Sequence, residues 1–484
     1  MSTPGVGATA DPAAMSASTS GHRRMLLVSY CFPPNPAVGS LRWEQLAAMA
    51  VERGWTVDVL TAAGAGLPHA DPSRLSALPT GVTVHEVTAD RSLLVRAEHH
   101  AAAVLRTLRA LRGRRIRGAA APSGGTADPE PQPAQVLIDR DDVRWGLDRE
   151  SAKRAYLSLR DLHQDTLWSR AAVRAATALM ERWDYDLVVS SGPPHSCHDA
   201  AREIGRRGGL PLVVDHRDAW SVTPVLRRDL ASPVWLRGSR KREARVSRAA
   251  TLVVANTPAL EERLVRDLDL PRERVLTVLN GFDDVHSGAS ARTRFEVVYA
   301  GNIYIDRNPR VFFAAARRLI ESEGLSPDDV SFVFVGGVQK VQGQSLESVA
   351  AQEGVGPYVS VRPRMPRAQL LEFLAGASVL LSLPQGVDLA IPSKIFEYMQ
   401  FPAWVLVMAT RGSATEAILR GSEADVVEPD DVDALAAVLR HRYRQYRAGE
   451  RPRPLAELQP RFSRRAQGAR LMDALDTIVP TSAI

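Results

Sequence analysis

The chain has 484 residues, 45% hydrophobic and 24% charged, a balance that excludes a disordered or fibrous protein and fits two or three globular domains. Lys and Arg number 61 against 55 Asp and Glu, and the resulting +6 suits an acidic small-molecule substrate without calling for nucleic acid. Two cysteines, Cys31 and Cys197, exclude a disulfide framework and a four-thiolate zinc site.

In chain order, residues 1–21 read as a disordered leader of Ala, Gly, Ser, Thr and Pro. They lack the basic and apolar regions of a secretion signal, and no stretch is apolar enough to span a membrane, so a cytoplasmic protein is expected. Met25 to Tyr30 is an apolar strand. The turn-like stretch 31–40 leads to a helix from Leu41 to Arg53, which Gly54 ends before the strand Trp55 to Leu60. That order is a βαβ opening for a parallel sheet. Val82 to Val87 is a third strand. Residues 91–117 form a helix carrying Arg106, Arg109, Arg112, Arg114, Arg115 and Arg117. This is either an ordinary solvated face or a weak peripheral contact with the inner face of an anionic membrane. A Gly/Ala/Pro/Ser-rich insertion is expected at 118–135, and helical patterns run across 148–182. Strands at 186–190, 211–215, 250–255 and 275–279, with a helix at 198–207, complete a first domain of residues 22–285.

After a polar linker near 286–293, a second series occupies 293–445. Its strands are expected at 295–300, 331–335, 358–361, 378–382 and 404–408, and its helices at 309–322, 367–375, 393–400 and 412–420. A terminal helix covers 456–477, within a final segment ending at 480. The fold class is therefore α/β: two Rossmann-like parallel-sheet domains, with strand-end loops facing one another across a cleft.

Several strand-end residues are candidates for chemistry. Gly39, with Ser40, precedes the first helix, where a glycine lets backbone approach a ligand and the helix start offers amide donors; an ordinary loop is the other reading. His195 and His198 are either buried core histidines or partners of a sugar hydroxyl; zinc needs a third ligand, and none stands nearby in the sequence. Asp215-His216-Arg217-Asp218 leaves a strand and meets Trp220. It is either an acceptor or sugar site or an Arg–Asp network bracing the loop. Gly301-Asn302 leaves the first strand of the second domain, with Arg307 able to hold a phosphate bidentately, and Gly336-Gly337 repeats the strand-then-glycine arrangement. Pro392-Ser393 starts a helix with Lys394 and Glu397 on one face. The lysine suits a diphosphate and the carboxylate suits ribose or sugar hydroxyls, unless the two form an exposed salt bridge. Lysine occurs only at Lys153, Lys241, Lys340 and Lys394 in this Arg-rich chain, which gives Lys394 more weight than a single arginine.

Together these segments resemble glycosyltransferases of the GT-B fold, and within them family 4 of the retaining enzymes, in its surface-polysaccharide and specialised-metabolite branch. The resemblance covers about residues 24–480. It rests on Phe32-Pro33-Pro34 with Gly39 and Arg42, on Ser191 to His198, on Asp215 to Trp220, on Tyr299 to Asn302 with Arg307-Asn308-Pro309, and on Ile391 to Tyr398. It implies transfer of a hexose-type sugar from a nucleoside diphosphate donor to a hydroxyl acceptor with retention, the donor on the second domain and the acceptor on the first. The acceptor is a small molecule, a glycan or a lipid-linked species; no metal, cofactor or nucleic acid is implied. The catalytic places fall to His198, Arg217, Asp218 and Lys394. The donor places fall to Gly39, Gly301, Asn302, Arg307, Gly336, Ser393, Lys394 and Glu397. The departing diphosphate would be held by cationic side chains and amides, with no protein nucleophile. The terminal helix of this fold commonly returns to the first domain. One departure stands out: the family often pairs two glutamates in the donor motif, and where Glu397 matches the second, the first falls at Leu389. The alternatives are a non-catalytic nucleotide-sugar-binding or scaffold subunit, or a sugar-nucleotide epimerase, which needs an acid/base pair in one pocket.

Overall fold

Two separate parallel sheets organise the chain. A computed structural model describes residues 23–35, 39–63, 70–90, 137–146, 148–228, 231–285, 293–303, 307–337, 340–341, 343–383 and 389–480. The expected leader, the basic helix at 91–117, the insertion at 118–135 and most of the linker lie outside the described residues.

The first sheet is built from β1 (Arg23–Ser29), β2 (Trp55–Ala62), β3 (Val82–Val87), β4 (Leu187–Gly192), β5 (Leu212–His216), β6 (Leu252–Ala255) and β7 (Val275–Thr277). Their order is β3-β2-β1-β4-β5-β6-β7, and every pairing is parallel. Helices α1 (Gly39–Glu52), α2 (Arg149–Met180), α3 (Ser196–Gly208), α4 (Pro233–Ala249) and α5 (Pro258–Leu268) cover it. The strands are near-continuous apolar runs because both faces are buried. In β1, Met25 and Leu27 join the cluster around Trp43 and Leu46, while Leu26 and Val28 join the opposite one around Trp168 and Ile204. That is the two-residue alternation of a strand acting on a two-sided core.

The second sheet contains β8 (Phe295–Ala300), β9 (Val330–Val335), β10 (Val359–Arg362), β11 (Val379–Ser382), β12 (Trp404–Met408) and β13 (Asp425–Val427), in the order β10-β9-β8-β11-β12-β13. Around it lie α6 (Arg310–Glu323), α7 (Leu346–Gln352), α8 (Arg367–Ala375), α9 (Ser393–Tyr398), α10 (Ala414–Leu419) and α11 (Val432–Arg447). In each sheet the direction of strand addition reverses beside the first strand, between β1 and β4 and between β8 and β11. Loops leaving such a reversal part to open a crevice, and the two crevices face one another across the cleft.

Most expected elements lie within two residues of their sequence positions, and β3, β12 and α8 coincide with them. Three need correction. Helix α1 begins at Gly39, two residues before Leu41. Helix α9 stops at Tyr398 instead of running to 400. The terminal helix is not continuous over 456–477: a short turn at Leu455–Leu458 and a 3-10 turn at Pro460–Phe462 precede α12 (Arg464–Ile478). Pro460 has no amide to continue a helix, and Ser463 restarts one by accepting a hydrogen bond from the Ala466 amide at 3.1 Å.

Helix α12 packs Leu471, Met472 and Leu475 into the first domain's core beside Met25 and Trp43. A Cβ at Gly468 would collide with Met49, so the glycine permits this approach to α1. Arg23 and Arg53 hold Asp476 from the other side. A second link joins the domains directly: the Thr257 hydroxyl donates to the Leu389 carbonyl at 2.6 Å. Among the described residues no helix is long and apolar enough to cross a membrane.

Candidate functional site

The second domain's wall is assembled where β8 and β9 end. Gly301 and Gly336 have φ of 132° and 122°, conformations that side-chain-bearing residues avoid. A Cβ on Gly336 would fall 2.5 Å from the Gly301 carbonyl oxygen, and one on Gly337 would fall 2.5 Å from Asn302 Oδ1. The glycines therefore let the two strand ends touch. Arg307 donates to the Asn302 carbonyl at 3.1 Å, as does the Tyr299 hydroxyl at 2.7 Å. Arg364 donates to Asn302 Oδ1 at 3.1 Å.

Lys394, in the first turn of α9, reaches into this wall. Its Nζ lies 3.8 Å from the centre of the Tyr299 ring and 3.0 Å from the position a Gly301 Cβ would take. The ammonium is shut off from solvent and has no hydrogen-bond partner among the described residues. Burial drives its pKa well below the usual lysine range, and the positive charge of Arg307 pushes the same way; Glu397 only partly opposes them. Glu397 itself bonds Arg367 at 2.8 Å. The alternative of an exposed Lys394–Glu397 salt bridge is not what forms: there are two separate arrangements, a buried cation and a carboxylate tied to α8. Ser393 is exposed at the start of α9.

On the first domain's wall, Asp215 is fully buried and accepts from Arg42 Nε at 3.0 Å, Arg42 NH2 at 2.9 Å, Trp43 Nε1 at 2.7 Å and Ser191 Oγ at 3.0 Å. Burial alone would raise its carboxyl. The Arg42 charge and these donors more than reverse that and hold it below the ordinary range. The bracing network is therefore Arg42–Asp215, where the sequence suggested Arg217 and Asp218. Arg217 donates to the carbonyls of Gly39 and Pro193. A Cβ on Gly39 would strike that guanidinium, so the space beside Gly39 is taken by Arg217. Asp218 is exposed, yet the surrounding protein displaces enough water to push its carboxyl up to about 6 against the pull of Arg217.

The histidines supply what the sequence did not show. His195 stacks on Trp220, with centroids 4.7 Å apart and planes 10° from parallel. His198 and His216 are fully buried, so His195 is the one with surface access, and His198 as it stands cannot meet an acceptor. His198 Nδ1 pairs with Ser190 Oγ at 2.9 Å, and His216 Nε2 lies 3.5 Å from Ser247 Oγ. Burial lowers all three pKa values, that of His216 to about 4, so the rings are neutral. One nitrogen from each ring lies within 4.8 Å of the others. The third ligand found missing in the sequence is His216. It is distant in sequence from His198, but β5 runs beside β4.

Two family models match consecutive parts of the chain: Glycosyltransferase Family 4 over residues 120–286 and Glycosyl transferases group 1 over residues 294–445. The first takes in β4 to β7, four of the seven strands of the first sheet, and the second takes in all six strands of the second sheet. The chain therefore has a GT-B-like fold related to glycosyltransferase family 4.

Its relatives include the D-inositol 3-phosphate glycosyltransferase of Acidothermus cellulolyticus, 26% identical over 282 residues, which are 54% of this chain and 60% of that protein. The alignment thus spans under two thirds of the relative's length. Sucrose-phosphate synthase from Thermosynechococcus elongatus has the same fold, with a TM-score of 0.60, 14% identity and coverage of 95% of this chain and 100% of that one. Anabaena Alr3699/HepE, solved in complex with UDP and glucose, has a TM-score of 0.57 at 13% identity, covering 94% and 100%. Within this GT-B chain, Gly301, Asn302, Arg307, Gly336 and Lys394 converge at one point, while Gly39 meets Arg217 in the first domain and His198 lies apart from them, buried beside Ser190 and His216. Arg364 was missed, because one exposed arginine after an edge strand gives no signal in an Arg-rich chain. At the site of the family's absent glutamate, the Leu389 side chain packs against the first domain's core.

Proposed function

We propose that this chain is a retaining glycosyltransferase that moves a hexose-type sugar from a nucleoside diphosphate donor to a hydroxyl acceptor. The observation that carries this reading is the partnerless, desolvated ammonium of Lys394 beside Arg307. A buried cation without a counter-charge is costly, and an anion seated against it would recover that cost. A diphosphate fits that charge, because Arg307 adds a second cation next to Lys394.

In the proposed reaction the bond between the sugar's anomeric carbon and the diphosphate oxygen breaks as charge builds on the leaving group. Lys394 and Arg307 stabilise that charge in surroundings that exclude water. The acceptor hydroxyl, lying against the first domain, forms the new bond on the same face. Its proton passes to an oxygen of the departing diphosphate, so no protein nucleophile is needed. Glu397 holds ribose or sugar hydroxyls, and Asp218 orients the acceptor.

The relatives suggest where to begin. Anabaena HepE was solved with UDP and glucose, which makes UDP-glucose the first donor to try. The name of the Acidothermus relative brings phosphorylated polyols into the acceptor panel beside small-molecule, glycan and lipid-linked acceptors. The test is acceptor-dependent release of nucleoside diphosphate, with the product's anomeric configuration read by NMR. Retained configuration is the expected result. An inverted product would refute retention. Donor binding without release across the panel would favour a non-catalytic subunit, the reading to which Leu389 lends support.

A further inference from the structure

We propose that His195, His198 and His216 form a binding site for one divalent transition-metal ion of the zinc class. The three rings arrive from different segments: His195 from the loop after β4, His198 from the first turn of α3 and His216 from the last position of β5. Each keeps one buried nitrogen without a partner, namely His195 Nδ1, His198 Nε2 and His216 Nδ1. A single unsatisfied buried nitrogen is costly, and three of them grouped together call for a common partner.

The opposite nitrogens are engaged in the way metal ligands usually are. Ser190 Oγ sits on His198 Nδ1 and Ser247 Oγ near His216 Nε2, and both serines are fully buried. Such outer contacts fix the ring and its tautomer and leave the other nitrogen facing inward. Gly192 supplies the space. A Cβ there would lie 2.6 Å from His198 Nε2 and 3.2 Å from His195 Nδ1, so the missing side chain leaves room in front of two of the three nitrogens.

Three imidazoles without a carboxylate suit zinc, cobalt, nickel or copper and not magnesium or calcium. One ring nitrogen from each histidine lies within 4.8 Å of the others, against about 3.4 Å expected for nitrogens around tetrahedral zinc, so closing the site calls for the rings to rotate inward. The fourth position is left to water or another ligand. The nearby cations are committed elsewhere: Arg217 to two carbonyls, and Arg242 to Asp199 at 2.5 Å and Asp165 at 3.7 Å. The ion would clasp β4, α3 and β5 on the first domain's wall, apart from the diphosphate contacts of the second.

The test is a Co2+ titration of the chelator-stripped full chain, followed by visible absorption and equilibrium dialysis. One ion per chain with tetrahedral d–d bands, displaced by Zn2+, is expected. His216→Phe should abolish uptake, and His195→Gln, at the half-exposed ring, should weaken it more than about tenfold. His163→Gln, at an exposed histidine on α2, should leave it unchanged. If His216→Phe does not fold, as judged by circular dichroism, His195→Gln carries the test. No uptake by the parent, or equal uptake by the parent and His195→Gln, overturns the proposal. Nucleoside diphosphate binding measured on the same samples keeps that result separate from glycosyl transfer.

Discussion

Lys394 exchanges stability for binding. Its ammonium faces the Tyr299 ring and meets no hydrogen-bond acceptor, so the unliganded fold carries an uncompensated desolvation cost. Lys394→Met should raise the unfolding free energy by about 1 kcal/mol or more while donor affinity collapses, as thermal melts and calorimetry can show. The lysine's pKa is depressed in the folded chain, so the unfolded chain holds more protons, and the parent's stability should rise with pH as the buried ammonium deprotonates. The Met variant lacks that rise. A bound diphosphate restores the proton. Donor affinity should therefore weaken with rising pH above the depressed pKa, by up to about tenfold per pH unit, and calorimetry in buffers of different ionisation enthalpy should detect proton uptake. Lys394, Gly301 and Arg307 were legible as candidates because each follows a strand end or opens a helix. The histidine cluster was only half legible: the spacing of His195 and His198 is visible, but His216 joins them through the β4–β5 pairing, which no local pattern encodes.

Two buried carboxylates show how elements are locked together. Asp215, on β5, binds Arg42 and Trp43 from α1 and Ser191 from β4, and Arg42 also donates to the carbonyls of Val278 and Leu279. Asp215→Asn leaves that guanidinium buried without its counter-charge and should cost roughly 3–5 kcal/mol in denaturant unfolding, with the sheet still formed. Glu243, on α4, accepts from the amide and hydroxyl of Ser221, and burial pushes its carboxyl up to about 7. Because that pKa lies above the unfolded value, its stabilising contribution is complete at low pH and is lost as pH rises through about 7. Glu243→Gln mimics the protonated form. Its melting temperature should match the parent's near pH 4, below the unfolded value, and exceed it near pH 8, by a comparison of thermal melts. Helix α4 also shows why some elements escaped a pattern-based reading. Its buried face is Ser239, Glu243, Val246 and Ser247, which has no apolar period to detect. Strands such as β12, apolar on both faces, were plain.

Across the whole molecule, Asp283 ties the two domains. It accepts a hydrogen bond from Gln45 of α1 at 3.2 Å, forms an ion pair with Arg464 of α12 at 3.2 Å, and lies 3.6 Å from Arg367, which also holds Glu397. The donor helix α9 is thereby linked to the helix that returns to the first domain. The Arg367 pairs are partly exposed, so Arg367→Ala should change stability by less than about 1 kcal/mol. Glu397→Gln should lower donor affinity roughly tenfold or more, through a weaker acceptor for sugar or ribose hydroxyls, as read by calorimetry. Two α/β halves and their order were legible from strand and glycine spacing. The path of α12 back to β1 was an expectation drawn from the resemblance, since nothing local in 464–478 names its partner. The most direct measurement is a calorimetric titration of UDP into the parent and into Lys394→Ala, with turnover followed on the same samples. Binding and transfer by the parent, both severely reduced in the variant while its fold is retained, is the predicted result. Equal affinity and turnover in the two proteins would contradict the assignment of the donor diphosphate to this wall.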